Sequence, residues 1–155
     1  MNLLVKEMAD KYKLDKNEII NILKLREELR IPVNIFIKEL GALEAVVKYM
    51  KENLNMNYHE IAKILKRDER TIWTAYKKAK QKQKEPFEIK KIEMYLPIEI
   101  FNKELTILES TILYLREQGI KYKDIAKLIQ RDPRNIQSIY SRALKKLSRN
   151  KVKSK

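Results

Sequence analysis

The sequence predicts an all-α protein made of tandem tri- or tetrahelical units behind a helical N-terminal segment. Three observations predict it. Two Gly and four Pro in 155 residues are too few for a turn-rich β fold. Lys, Glu, Leu, Ile and Ala dominate, and these favour helix. Finally, one pattern occurs twice: YHEIAKILKRDERTIWTAYKKA from Tyr58 to Ala79, and YKDIAKLIQRDPRNIQSIYSRA from Tyr122 to Ala143. A repeat of this length implies two copies of one supersecondary unit.

The likeness begins further upstream. Ile31–Asn53 aligns with Leu96–Gln118, and the register then slips by one residue before Tyr58 and Tyr122. An insertion point of this kind is expected in a loop, here LNMN against GIK. The expected organisation is an N-terminal helical hairpin over 1–30, a first unit over 31–82, a linker over 83–95, a second unit over 96–147 and a basic tail over 148–155. Units of about 50 residues are marginal as independent cores, so neighbours should lean on each other.

Each unit reads as three helices. Helix one starts at a capping box in the second copy, Thr106 to Glu109, and at the weaker cap Gly41 in the first. Leu43, Val46, Val47 and Met50 give it an apolar stripe. Helix two of the first copy opens at Asn57 with Glu60 in capping-box spacing, and buries Ile61, Ala62 and Leu65. Asp68 and Asp132 cap helix three, with Pro133 at the first helical position of the second copy, where proline is tolerated. Helix three is expected to end near Lys80 and Lys146, with Ile72, Tyr76 and Ala79, and Ile136, Tyr140 and Ala143, inside. A short helix, a tight turn and a longer helix packed across it form a helix-turn-helix.

The pattern YxEIAxxLxRDxRTIxxxYxxA, with Leu43-Glu44 and Leu108-Glu109 near the start of helix one, resembles region four of bacterial sigma factors and the DNA-binding domain of LuxR-type regulators. The resemblance covers most of residues 40–80 and 105–147. It implies that helix three lies in the DNA major groove. Nothing resembles the other sigma regions, so promoter melting is not implied. An echo of the pattern in EMADKYKLDKNEI (Glu7–Ile19) reads either as a third, degenerate unit made acidic by Glu18, Glu27 and Glu28, or as an ordinary capped hairpin.

Charge agrees with a polyanionic partner. The net charge is +14 and the pI about 9.8. The excess concentrates in Tyr76–Lys84 and Arg142–Lys155, at or just past the ends of the repeated pattern. The absence of Cys and the single His59 exclude thiol chemistry, Cys-ligated zinc and His-based metal or triad sites. No Gly-rich phosphate loop is present, so neither an enzyme nor a cofactor is expected. Without an apolar membrane span or a signal-like start, the chain is expected to be cytoplasmic and nucleoid-associated.

With the inner face of helix three assigned, the outer face supplies the candidates. Base edges are expected to meet Arg70, Thr71, Trp73 and Thr74 in the first unit, and Arg134, Asn135, Gln137 and Ser138 in the second. Arg reads guanine and Asn or Gln reads adenine, so the second unit is better equipped. Phosphates are expected to meet Lys77, Lys78, Ser141, Arg142 and Lys145. Trp73 fits a thymine methyl or sugar, a protein anchor, or local packing on the linker. Ten extended residues span about 33 Å, close to the roughly 34 Å between successive half-sites. A monomer is thus expected to occupy two half-sites. The expected partners are double-stranded DNA and RNA polymerase or another transcription protein; the rival readings are a protein-interaction module and an RNA-binding basic protein.

Overall fold

The computed structural model describes residues 29–153 and, before them, Lys6, Glu7, Asp10, Lys11, Lys13, Asp15, Asn17 and Glu18. The chain divides into two compact units, Met1–Arg30 and Ile31–Lys155. In the first, Asp15 and Glu18 make a reciprocal box: the Glu18 amide donates to Asp15 Oδ1 at 2.8 Å and the Asp15 amide to Glu18 Oε2 at 3.1 Å. The echo of the pattern at Glu7–Ile19, with Glu27 and Glu28 beyond it, falls largely outside the described residues.

The larger part is mostly helical. In order it contains β1 (Arg30–Pro32), α1 (Ala42–Lys48), α2 (Tyr58–Leu65), α3 (Glu69–Lys82), β2 (Tyr95–Pro97), α4 (Ile107–Glu117), α5 (Tyr122–Leu128) and α6 (Pro133–Lys153). Each strand runs into a single 3-10 turn, Val33–Ile35 or Ile98–Ile100. The two short strands are an addition to the expected all-α architecture. They pair with each other. The amide of Val33, just past β1, donates to the carbonyl of Met94, just before β2, at 2.9 Å. The strands therefore run antiparallel, with Ile31 opposite Leu96, both fully buried.

Local chemistry sets the helix starts. Thr106 accepts from the Glu109 amide at 3.1 Å and Glu109 accepts from the Thr106 amide at 2.9 Å. Gly41 has no side chain to offer, and only the Glu44 half of its box forms, at 3.4 Å. Asn57 accepts from the Glu60 amide at 2.8 Å. Asp68 and Asp132 accept from the amides of Arg70 and Arg134 at 2.8 and 2.9 Å. Pro133 is the first residue of α6, where its missing N–H leaves no bond unmade.

The expected loop insertion is instead absorbed inside a helix. Past Lys48 the chain winds into a π turn, Tyr49–Asn53, which α4 lacks. A π turn accommodates one extra residue without ending the helix. Beyond it the two segments come back into line: Asn55 and Gly119 both have positive φ, 55° and 83°. The Met56 amide then closes on Met50 at 3.1 Å as Ile120 closes on Leu115 at 3.2 Å.

Helix three also differs from expectation. The first, α3, ends at Lys82. The second, α6, continues unbroken to Lys153, because nothing after Lys146 stops it, and the basic tail is helical that far. Ile72, Ala79, Ile136 and Ala143 are buried as expected, but Ala75 and Ile139 share the inner face. Tyr76 and Tyr140 are half-buried, set edge-on to Tyr58 and Tyr122 at 5.9 and 6.0 Å between ring centres. Leu43, expected in the core, is half-buried because α1 turns it towards a surface groove shared with Arg70, Thr71, Thr74 and Lys78. Of the apolar residues after α3, Phe87 is buried and Ile92 is exposed.

Arg67 and Arg131, in the turns before α3 and α6, do what sequence reasoning missed. Arg67 donates from Nη1 to the Asn102 carbonyl at 2.9 Å and from Nη2 to the Leu105 carbonyl at 2.8 Å. Arg131 donates from Nη1 to the Ile37 carbonyl at 3.2 Å and from Nη2 to the Leu40 carbonyl at 2.9 Å. Each guanidinium thus reaches from one three-helix segment into the chain that leads to helix one of the other. Burial lowers the pKa of both guanidiniums, and arginine still keeps its proton.

A buried carboxylate ties helix one to helix three. Glu109 accepts from Lys146 Nζ at 2.8 Å, and Glu44 from Lys82 Nζ at 2.7 Å. Burial resists ionisation of Glu109, but the bonds from Lys146 and Thr106 together outweigh it and hold its pKa below the ordinary value of 4.5. A lowered folded-state pKa contributes stability that is complete above the ordinary carboxylate range and is lost as pH falls through the lowered value. Glu109→Gln is therefore expected to lower stability at neutral pH and to flatten its decline in acid, as read by urea unfolding from pH 7 to pH 3.

Candidate nucleic-acid interface

The outer faces of α3 and α6 carry the candidate residues. Arg70, Thr71, Trp73, Thr74, Lys77 and Lys78 are all exposed on α3. Arg134, Asn135, Gln137, Ser138, Ser141, Arg142 and Lys145 are all exposed on α6. The Asp cap and the Ile-Ala inner face produce this arrangement, since a helix that buries Ile136, Ile139 and Ala143 turns the intervening positions to solvent.

The two faces differ chemically. On α3, Trp73 is 48% exposed and Lys77 Nζ sits 5.5 Å from its ring centre. Thr74 donates its hydroxyl to the Arg70 carbonyl at 2.9 Å. Its oxygen remains able to accept. On α6, Ser138 donates to the Asn135 carbonyl at 2.9 Å. Asn135 and Gln137 present amides at the end of the helix that reaches base edges in helix-turn-helix complexes.

Arg134 folds back on the cap. Its Nη2 lies 2.9 Å from Asp132 Oδ2 and its Nε 3.2 Å from Oδ1. These side-chain bonds, followed by the Arg134 amide, hold the Asp132 carboxyl below its ordinary pKa. Asp132 therefore both starts the helix and orients the guanidinium at its mouth. Asp132 occupies the Nε and Nη2 fork, so the Nη1 and Nη2 edge is the side left for bidentate pairing with a guanine.

The basic residues are not equally available. Lys82 and Lys146 are committed to Glu44 and Glu109, and Lys80 to Glu52 and the Lys84 carbonyl. Lys77, Lys78, Arg142 and Lys145 project from the outer faces instead. His59 is exposed, 3.6 Å from Glu69. Among the described residues no group of acidic and His side chains is placed to hold a metal.

Residues 103–147 match the family described as sigma-70, region 4. The region 4 match spans α4, α5 and α6 as far as Leu147. Over these residues the chain is similar to a helix-turn-helix DNA-binding domain, a likeness that points to transcription. No curated protein and no solved structure matches the chain. Among the described residues no helix is long and apolar enough to cross a membrane.

Proposed function

We propose that the chain is a sequence-specific double-stranded DNA-binding protein, a transcription regulator carrying two helix-turn-helix units, 31–82 and 96–147, in one polypeptide. It acts by binding and catalyses no reaction. The observation that carries this reading is the exposed set Arg134, Asn135, Gln137 and Ser138 on the first turns of α6, inside the segment that matches region 4. Their types suit base edges, and their place on the helix is the one that reaches them. The first unit supports the same reading with a like Asp cap and inner face, and its outer face offers Arg70, Thr71, Trp73 and Thr74 to bases and Lys77 and Lys78 to phosphates.

Selection of bound sites from a random duplex pool tests the reading directly: a defined site is expected. On that site Arg134→Ala or Gln137→Ala is expected to cost about 1–3 kcal/mol, with little change on random DNA. Lys77→Ala is expected to weaken both by similar amounts and to reduce the salt slope by about 0.9, the share of one phosphate. Equal loss on specific and random DNA in both kinds of variant would instead describe an architectural protein without base readout. A second reading, docking on a transcription protein, rests on the 48% exposure of Trp73. In that case Trp73→Ala abolishes the protein complex and leaves DNA affinity unchanged.

A further inference from the structure

We infer that the two helix-turn-helix units form an intramolecular inverted pair, so that the DNA they read consists of two oppositely oriented half-sites at fixed spacing. The inference rests on the proposed two-unit DNA-binding reading and adds the geometry of the site. Arg67 and Arg131 occupy the same place in the repeat; so do Ile37 and Asn102, and Leu40 and Leu105. Arg67 of the first unit grips Asn102 and Leu105 of the second, while Arg131 of the second grips Ile37 and Leu40 of the first. A contact returned by its own mirror partner is the mark of a two-fold relation; a head-to-tail arrangement makes it only once. Two further contacts join equivalents to equivalents, as happens only beside a two-fold axis. Ile31 lies opposite Leu96 in the antiparallel strand pair, and α1 packs on α4.

Two readers related by a two-fold axis engage one duplex symmetrically only when the half-sites are inverted, because DNA has its own two-fold axes perpendicular to its length. The symmetry is approximate. Gln130 Oε1 accepts from the Lys38 amide at 3.1 Å, whereas the equivalent Lys66 has no acceptor to offer Lys103. The reading faces differ too, Arg70, Thr71, Trp73 and Thr74 against Arg134, Asn135, Gln137 and Ser138. The site is therefore inverted in geometry and asymmetric in sequence, and the chain sits on it in one orientation only.

The protein lacks cysteine, so single cysteines can carry an iron chelate that cleaves DNA locally. Glu69→Cys and Lys80→Cys place the reagent at the two ends of α3; Pro133→Cys and Leu144→Cys place it at the equivalent positions of α6. All four positions are exposed and lie outside the proposed readout set. The full-length variants are bound to the selected duplex. Moving the reagent from 69 to 80 is expected to shift cleavage one way along the DNA, and moving it from 133 to 144 to shift it the opposite way. Shifts in the same direction overturn the inverted pair while leaving the two-unit reading intact. Cleavage from one helix alone overturns both. Failure to select any duplex over random DNA removes the premise and the inference with it.

Discussion

Lys48→Ala is expected to destabilise the protein by about 3–5 kcal/mol, the usual loss when one partner of a buried ion pair is removed. Lys48 has no exposed surface. Its ammonium donates to Glu52 Oε1 at 2.8 Å and Oε2 at 2.5 Å, and to the Glu85 carbonyl at 2.8 Å. It also lies 5.6 Å from the centre of the Phe87 ring. Truncation leaves the nearly buried Glu52 with only the Tyr76 hydroxyl at 3.3 Å and Lys80 at 3.4 Å, strips the Glu85 carbonyl of this donor, and opens a cavity. The equivalent residue in the second unit is Leu113. Lys48→Leu combined with Glu52→Gln fills the space and removes the stranded charge, so it is expected to recover most of the loss. Urea unfolding reads the difference as a shift of midpoint at constant slope. Because Lys48 and Asn53 hold the chain after α3 through the carbonyls of Glu85 and Phe87, Lys48→Ala is also expected to speed proteolysis between 83 and 90. Unchanged cleavage there, with full stability, would mean that Lys48 does not anchor that segment.

The second large effect is expected at the arginine clasp. Arg67→Ala and Arg131→Ala should each cost about 2–3 kcal/mol, since each removes charged donors from two carbonyls of the facing unit. The double variant should lose less than the sum if the first loss already loosens the shared interface. Lysine should not rescue either site, because a single ammonium lacks the planar fork that spans two carbonyls. The clasp also fixes α3 and α6 relative to each other. A folded clasp variant is expected to lose affinity for the full site while keeping its affinity for the half-site read by α6. Equal losses on both would place the effect in folding rather than in the geometry of the pair.

Much of the fold is legible because its signals are local. Asn57, Asp68, Thr106 and Asp132 cap helices through bonds to amides two or three residues away, so the residue type and its spacing suffice. The inner faces follow from helical periodicity, which also accommodates Ala75 and Ile139 one turn past Ile72 and Ile136, while Leu43, Tyr76 and Tyr140 are only half-buried. The candidate readout face is legible by subtraction, as whatever the inner stripe leaves outside. The clasp left one trace: Arg stands before the capping Asp in both copies, although the cap itself needs only the Asp. The same guanidiniums also donate to the local carbonyls of Leu65 and Ile129, at 2.9 and 3.1 Å, so that trace marks a task without saying how far it reaches.

By itself the sequence determined the helical class, the order and starts of the helices, the two like segments and the placement of positive charge. These depend on neighbours within a turn or on composition. Only the tertiary structure decided the rest. It buried Lys48, which on its helix reads as a solvent-facing lysine until the segment at Glu85–Phe87 is laid over it. It moved the extra residue from a loop into the π turn at Tyr49–Asn53, a choice made by the need to bring Met56 back to the place of Ile120. It paired Ile31 with Leu96 and closed Arg67 and Arg131 over carbonyls 35 to 94 residues away. A backbone carbonyl carries no side-chain signature, so a bond to one far along the chain becomes visible only once the chain has folded.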